Sequence, residues 1–232
     1  PRRAGICLIR ESVMRNSNCE MRKALPAGAV RRLCFAFSIL HFALIFACTS
    51  GPSAPDDSSY VAEVEAGRAA RDQAYRTSDD PIPPEKRDVL LPLRYYTPDR
   101  RYAVPAELRL FESRQTVEVP TSTGTVRRME LVGTLNFTLE GQQMSLGALV
   151  PEGTRQIQEL FVPFADLTTG HDTYKAGRYL DIPPTATGLY TIDFNQAYNP
   201  TCAYNESYEC PYPPPSNRLK VAMRAGEKAP GA

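Results

Sequence analysis

Between residues 131 and 149 the hydrophobic period is two. Leu131, Gly133, Leu135, Phe137 and Leu139 alternate with polar residues, and beyond Gly141-Gln142 apolar side chains resume at Met144, Leu146 and Leu149. Successive residues of a strand point to opposite faces, so this stretch predicts a β-hairpin with one buried face that turns at Gly141-Gln142. Strand-like runs recur at Tyr102–Leu110, Gln115–Val119, Ile157–Phe161, Tyr190–Phe194 and Leu219–Met223. Pro- and Gly-bearing turns separate them and no helical pattern intervenes. Such spacing predicts a mainly β fold, an antiparallel sheet forming a barrel or a sandwich-like layer. One helix precedes it, from Ser58 to about Arg76, with Ser58 or Ser59 as N-cap and Val61, Val64, Ala69 and Ala70 as a thin apolar face. Pro81, Pro83 and Pro84 stop it. Residues 58–230 are read as a single globular domain.

The N-terminal fifth is different. Arg22, Lys23, Arg31 and Arg32 precede an apolar run from Leu33 to Ala47, followed by small and polar residues. As a helix the run would span about 22 Å, short of the roughly 30 Å hydrocarbon core of a bilayer. Residues 21–47 therefore read as a cleaved export signal, and residues 1–20, upstream of Met21, as a leader outside the fold. Ile45-Phe46-Ala47-Cys48 resembles the lipobox of bacterial lipoproteins, although Phe46 fits it poorly. The resemblance implies lipidation of Cys48, a polar tether over residues 48–57, and a domain anchored to the membrane by acyl chains in the bacterial cell envelope.

Removing the leader changes the charge. The whole chain has 27 basic and 26 acidic residues, but 8 of the basic and only 2 of the acidic ones precede Cys48. The remaining 185 residues are acidic, with 19 basic side chains against 24 acidic, which excludes nucleic acid as a partner on electrostatic grounds. Cys202 and Cys210 are then the only cysteines left besides Cys48. In an exported protein they predict a disulfide, since their spacing suits no zinc site and His171 is the one histidine beyond the leader. No metal or cofactor is expected.

The last third concentrates polar groups. Seven of the 12 tyrosines fall between Phe164 and Asn217, among hydroxyls, amides, carboxylates and one guanidinium. Two readings compete. In one, Arg178 pairs with Asp166 or Asp193 within a structural network. In the other, Asp166, Thr169, Thr173, Tyr174, Arg178, Asp193, Asn195, Tyr198 and Asn199 line a binding surface, with Arg178 gripping a carboxylate or phosphate. For catalysis, Asp166, His171 and Asp193 are the candidate proton carriers, although the His171 setting suits a solvated turn. The chain has no Gly-x-Ser-x-Gly, no His-Glu-x-x-His and no phosphate-binding glycine loop.

Several strings are distinctive: Arg71-Asp72, Leu91-Pro-Leu-Arg-Tyr-Tyr96, Phe161-Val-Pro-Phe-Ala-Asp166, Thr169-Gly-His-Asp-Thr-Tyr174, Gly177-Arg-Tyr-Leu180, Asp193-Phe-Asn-Gln-Ala-Tyr-Asn-Pro200, Asn217-Arg-Leu219 and Ala225-Gly-Glu-Lys228. In these the chain resembles, from about Val61 to Lys228, the bacterial family designated domain of unknown function 1684. Thr169, Asp172 and Thr201 depart from its usual residues. The resemblance implies a lipoprotein in which helix and sheet form one unit, and it implies no reaction. The residues and the resemblance together favour an envelope lipoprotein that binds a small anionic or polar ligand or a partner protein. The alternatives are an envelope hydrolase using Asp166 or Asp193 with Arg178, and a purely structural envelope protein.

Overall fold

The computed structural model describes residues 57–78 and 80–231. The leader, the signal, Cys48 and the tether up to residue 56 lie outside the described residues. Six strands, β1 (Ala103–Pro120), β2 (Val126–Leu139), β3 (Gln142–Pro151), β4 (Leu160–Phe164), β5 (Arg178–Ile182) and β6 (Leu189–Asp193), follow helix α1 (Ser58–Thr77). They form one antiparallel sheet in the order β5-β4-β3-β2-β1-β6, curled into half a barrel. The mainly β fold with an N-terminal helix is thus the one expected. No helix among the described residues is long and apolar enough to cross a membrane.

The β2–β3 hairpin pairs Leu135 with Leu146 and Leu139 with Gln142. Its turn is Glu140-Gly141, one residue earlier than predicted, and both residues have positive φ, 50° and 77°. A two-residue turn of that hand matches the twist of the strands it joins. Leu135, Phe137, Leu139, Leu146, Ala148 and Val150 enter the main core. From Leu146 onward β3 is buried on both faces, because Leu149 packs on the opposite side with Val119 and Met129.

The two runs read between 102 and 119 are one 18-residue strand. Its pairing jumps from Leu110↔Gly133 to Gln115↔Leu131, so residues 111–114 bulge from the ladder. Gly133 is required there: a Cβ would strike the Arg109 carbonyl. The Leu219–Met223 run, expected as a strand, is irregular. Its backbone bonds the chain just past β4, from Leu219 N–H to the Ala165 carbonyl and from Leu167 N–H to the Val221 carbonyl, and Leu219 and Met223, with Ala225 beyond, cap the core. Below them Phe164 and Phe137 pack against Phe194, with ring centroids 5.4 and 5.6 Å apart.

Strands β3 and β4 pair at a single position, Leu149↔Phe161. Where they diverge, the fully buried side-chain amide of Asn217 fills the gap. It accepts from Gly147 N–H at 2.7 Å and donates to the Gly147 and Pro163 carbonyls at 2.9 and 2.8 Å. One side chain thus satisfies backbone groups that would otherwise lack ladder partners.

Helix α1 docks through a polar stripe. Tyr60, Val64, Arg68, Arg71 and Tyr75 recur every three or four residues and so share one face. Of the apolar face expected for α1 only Val64 is buried.

Candidate functional site

The polar residues of the last third do not form one surface. The structure sorts them into separate groups.

Arg178 opens β5 and is fully buried. Its Nη2 donates to Asp166 Oδ2 at 2.8 Å and to the Met223 carbonyl at 2.9 Å, and its Nη1 donates to the Ala225 carbonyl. Asp166 Oδ1 accepts from Thr168 N–H and Oγ1 and from Met223 N–H, at 2.7, 2.6 and 3.2 Å. Thr173 joins through Thr168 at 3.0 Å, and Thr169 Oγ1 accepts from Asp166 N–H. This closed lock fastens the C-terminal segment over the core. Its charges are used internally, as in the structural reading.

Asp193 and Asn195 belong to a clamp on α1. Tyr60 Oη donates to Asp193 at 2.9 Å, and Asn195 Nδ2 donates to Tyr60 Oη at 2.7 Å and to the Asp99 carbonyl at 2.8 Å. Arg68 reaches the Tyr96 and Asn195 carbonyls and stacks over Tyr95, 4.4 Å from the ring centre. Burial, then the Asp193 hydrogen bond and charge, push the Tyr60 hydroxyl far above the usual phenol range. Asp166 and Asp193 therefore stand in different networks, and the structure does not bring them with Arg178 onto one cleft. His171 is exposed in its turn.

Tyr174 faces the cysteines, its hydroxyl 3.4 Å from the Cys202 carbonyl. Cys202 and Cys210 are buried side by side as free thiols, so the expected disulfide is not formed here. Cys202 N–H donates to Cys210 Sγ at 3.1 Å. A hydrogen bond from Cys202, helped by Thr201 and the charge of Arg127, pulls the Cys210 thiol down to about 6, and the same contact pushes Cys202 up. Phe161, Tyr179 and Tyr208 complete the cluster on the outer face of the sheet.

Of the remaining pair, Tyr198 packs on the thiol cluster, its ring edge-on to Tyr179 and its hydroxyl donating to Asp181, while Asn199 turns inward to a buried polar cluster beneath α1. Tyr95 and Glu227 are partners across an isolated antiparallel bridge, which sets their side chains side by side. Glu227 is 1% exposed. It accepts from Asn199 N–H at 3.0 Å, from Asn199 Nδ2 at 2.7 Å, and from Tyr204 Oη. Burial raises its carboxyl to about 7 even though those donors and the charge of Arg71 work in the other direction.

Arg71 reaches this cluster from the helix. Its guanidinium lies over the Tyr198 ring, 5.0 Å from the centre, and makes no hydrogen bond or ion pair among the described residues. Burial works against its charge, but Tyr95, Glu227, Tyr75 and Tyr204 around it hold it protonated. Beside it, Tyr95 Oη and Asn199 Oδ1 are buried without hydrogen-bond partners among the described residues. The Asn199 orientation is settled, because its Nδ2 already faces two acceptors, Glu227 Oε1 and the Lys228 carbonyl at 2.7 Å. The cluster thus gathers a cation, a hydroxyl donor, an amide acceptor and a carboxyl whose burial raises it to about 7.

Arg71, Tyr95 and Glu227 were not among the expected site residues. Each lies in one of the distinctive strings, Arg71-Asp72, Tyr95-Tyr96 and Glu227-Lys228, but outside the tyrosine-rich stretch that drew attention.

Fold and site together define a half-barrel domain with a helix docked by polar contacts over a buried carboxyl. The chain belongs to the family described as "Protein of unknown function (DUF1684)", which matches residues 91–228, more than half of its length. It is also similar to the solution NMR structure of an uncharacterized protein from gene locus rrnAC0354 of Haloarcula marismortui, at 38% identity and a TM-score of 0.59, covering 75% of this chain and 96% of that one. No curated protein matches the chain.

Proposed function

We propose that this chain is a cell-envelope lipoprotein, exported through residues 21–47 and tethered by acyl chains on Cys48, whose domain binds a small anionic ligand at the polar cluster beneath α1. The observation that carries the binding reading is Arg71, a half-buried guanidinium that lies over the Tyr198 ring and makes no ion pair or hydrogen bond among the described residues. Beside it the unpartnered Tyr95 Oη and Asn199 Oδ1 suit a carboxylate that also carries a hydroxyl or amino group. The ligand's acid pairs with Arg71 and Tyr95, and its donor meets Asn199.

The tether rests on the sequence. The order of basic stretch, 15-residue apolar run and small residues before Cys48 supports it, as does the polar stretch that follows. Export also suits the adjacent buried thiols, which would close into the disulfide in an oxidising compartment.

The test is a melting-temperature panel of small hydroxy and amino carboxylates on the wild-type chain and on Arg71→Met. A rise in Tm that Arg71→Met removes supports the reading. A panel that moves neither protein, or both equally, refutes it.

A further inference from the structure

A second candidate site lies beside the turn end of the β2–β3 hairpin. There the chain from Ser216 to Val221 forms one wall of an open groove of about 720 Å³, with β2 and the start of β3 as the other. Asn217 is turned inward to hold Gly147 and Pro163, and Leu219 is turned into the core. The alternation sends Arg218 and Lys220 outward into the groove, and Arg109 of β1 joins them.

We propose that this groove binds an anionic saccharide, a sugar chain or sugar phosphate bearing carboxylate or phosphate groups. Three observations carry it. First, none of Arg109, Arg218 and Lys220 has an ion pair or side-chain hydrogen bond among the described residues. Elsewhere on the sheet exposed arginines are matched: Arg114 with Glu130, Arg127 with Glu209, and Arg128 with Glu152, at 2.8–2.9 Å. Second, no carboxylate lines the groove, although the chain beyond the leader is acidic. The nearest in register, Glu107, sits across from Asn136 outside it. Third, the surface between the cations carries amides and hydroxyls, among them Asn136, Gln143 and Ser145, which match the hydroxyls of a sugar. The aromatic side chain at the floor, Phe137, is 5% exposed, so the groove presents no ring for a nucleic-acid base to stack on. Its apolar floor is likewise closed to an acyl chain at Phe137 and Leu219, both buried.

The groove shares no residue with the Arg71 cluster beneath α1, and its test keeps the two apart. Calorimetric titration of the full chain uses tetragalacturonate, glucose 1,6-bisphosphate, neutral maltotetraose and phosphatidylglycerol vesicles. Saturable binding of either anionic sugar, but not of maltotetraose, is expected, and which one binds identifies the acid group. Arg218→Ala/Lys220→Ala should weaken it at least tenfold with Tm unchanged, Glu107→Gln should not weaken it, and Arg71→Met should leave it as it is. The proposal is overturned if neither anionic sugar binds, if maltotetraose binds equally well, if only the vesicles bind, or if the double variant binds like wild type.

Discussion

Asn199 holds Glu227 twice, through its backbone N–H to Oε2 at 3.0 Å and through its side-chain amide to Oε1 at 2.7 Å. The grip fixes a carboxyl that burial drives toward its neutral form. In the unfolded chain the same group titrates near 4.5, against about 7 when folded. A raised folded value means that the native state retains the proton longer, so this contribution to stability is complete below about pH 4.5 and is lost as pH rises through 7. Glu227→Gln removes it. Urea unfolding from pH 4.5 to 8.5 should show wild type losing about 3 kcal/mol relative to the variant, given about 1.4 kcal/mol per pKa unit. Parallel pH profiles for the two proteins would contradict this.

The Arg178–Asp166 lock predicts a structural phenotype. Arg178→Met leaves Asp166 buried beside three hydrogen-bond donors without its cation, which costs about 3–5 kcal/mol. The loss should appear as a lower urea midpoint and as earlier proteolysis between residues 219 and 229, the segment that Arg178 fastens through the Met223 and Ala225 carbonyls. Ligand binding at Arg71 should survive at temperatures where the variant remains folded.

Asn217 makes a sharper test of the sheet. Asn217→Ala strands the Gly147 N–H and two carbonyls in the interior, at about 1–3 kcal/mol for each unsatisfied group. Hydrogen exchange should accelerate at Gly147 and along the 215–221 segment before it does in the β1–β2 ladder. Uniform acceleration would mean that the amide is not a local splice.

These particulars show what could be read in advance. The β2–β3 hairpin was legible because one face of it is buried and the alternation records that. β5 was not, because its first residue is a buried arginine and the pattern Arg-Tyr-Leu-Asp-Ile does not look apolar. The break between Leu110 and Gln115 was legible as an interruption, yet it is a bulge within one strand, a distinction set by the pairing with Gly133. The docking of α1 was hidden for a different reason. Its contact face is Tyr60, Arg68, Arg71 and Tyr75, and a polar stripe resembles a solvated one until the partners across it are known. For the same reason the cluster beneath α1 was only half visible: Tyr198 and Asn199 lay in the polar stretch, whereas Arg71 and Glu227 come from the two ends of the domain.

The tether and the thiol pair are open to direct chemistry. Membrane-fraction mass analysis should find acyl chains on Cys48 that Cys48→Ser lacks, and an unmodified mature N-terminus would contradict the tether. In material purified from the envelope, Cys202 and Cys210 should resist alkylation until reduced. Such a bond would close a short loop, worth about 2–3 kcal/mol in the chain-entropy model, so reduction would then lower Tm measurably. Ready labelling without reductant would show that the thiols stay free.

The central claim is that Arg71 receives a ligand's negative charge. Calorimetric titration of the full chain with the carboxylate giving the largest melting shift tests it most directly, comparing wild type with Arg71→Met and Asn199→Asp. A charge-assisted hydrogen bond contributes about 1.5–3 kcal/mol, so Arg71→Met should weaken binding about tenfold to a hundredfold. Asn199→Asp, which sets a second carboxylate beside Glu227 and the ligand's acid, should weaken it as well. Equal affinity in wild type and Arg71→Met would contradict the account.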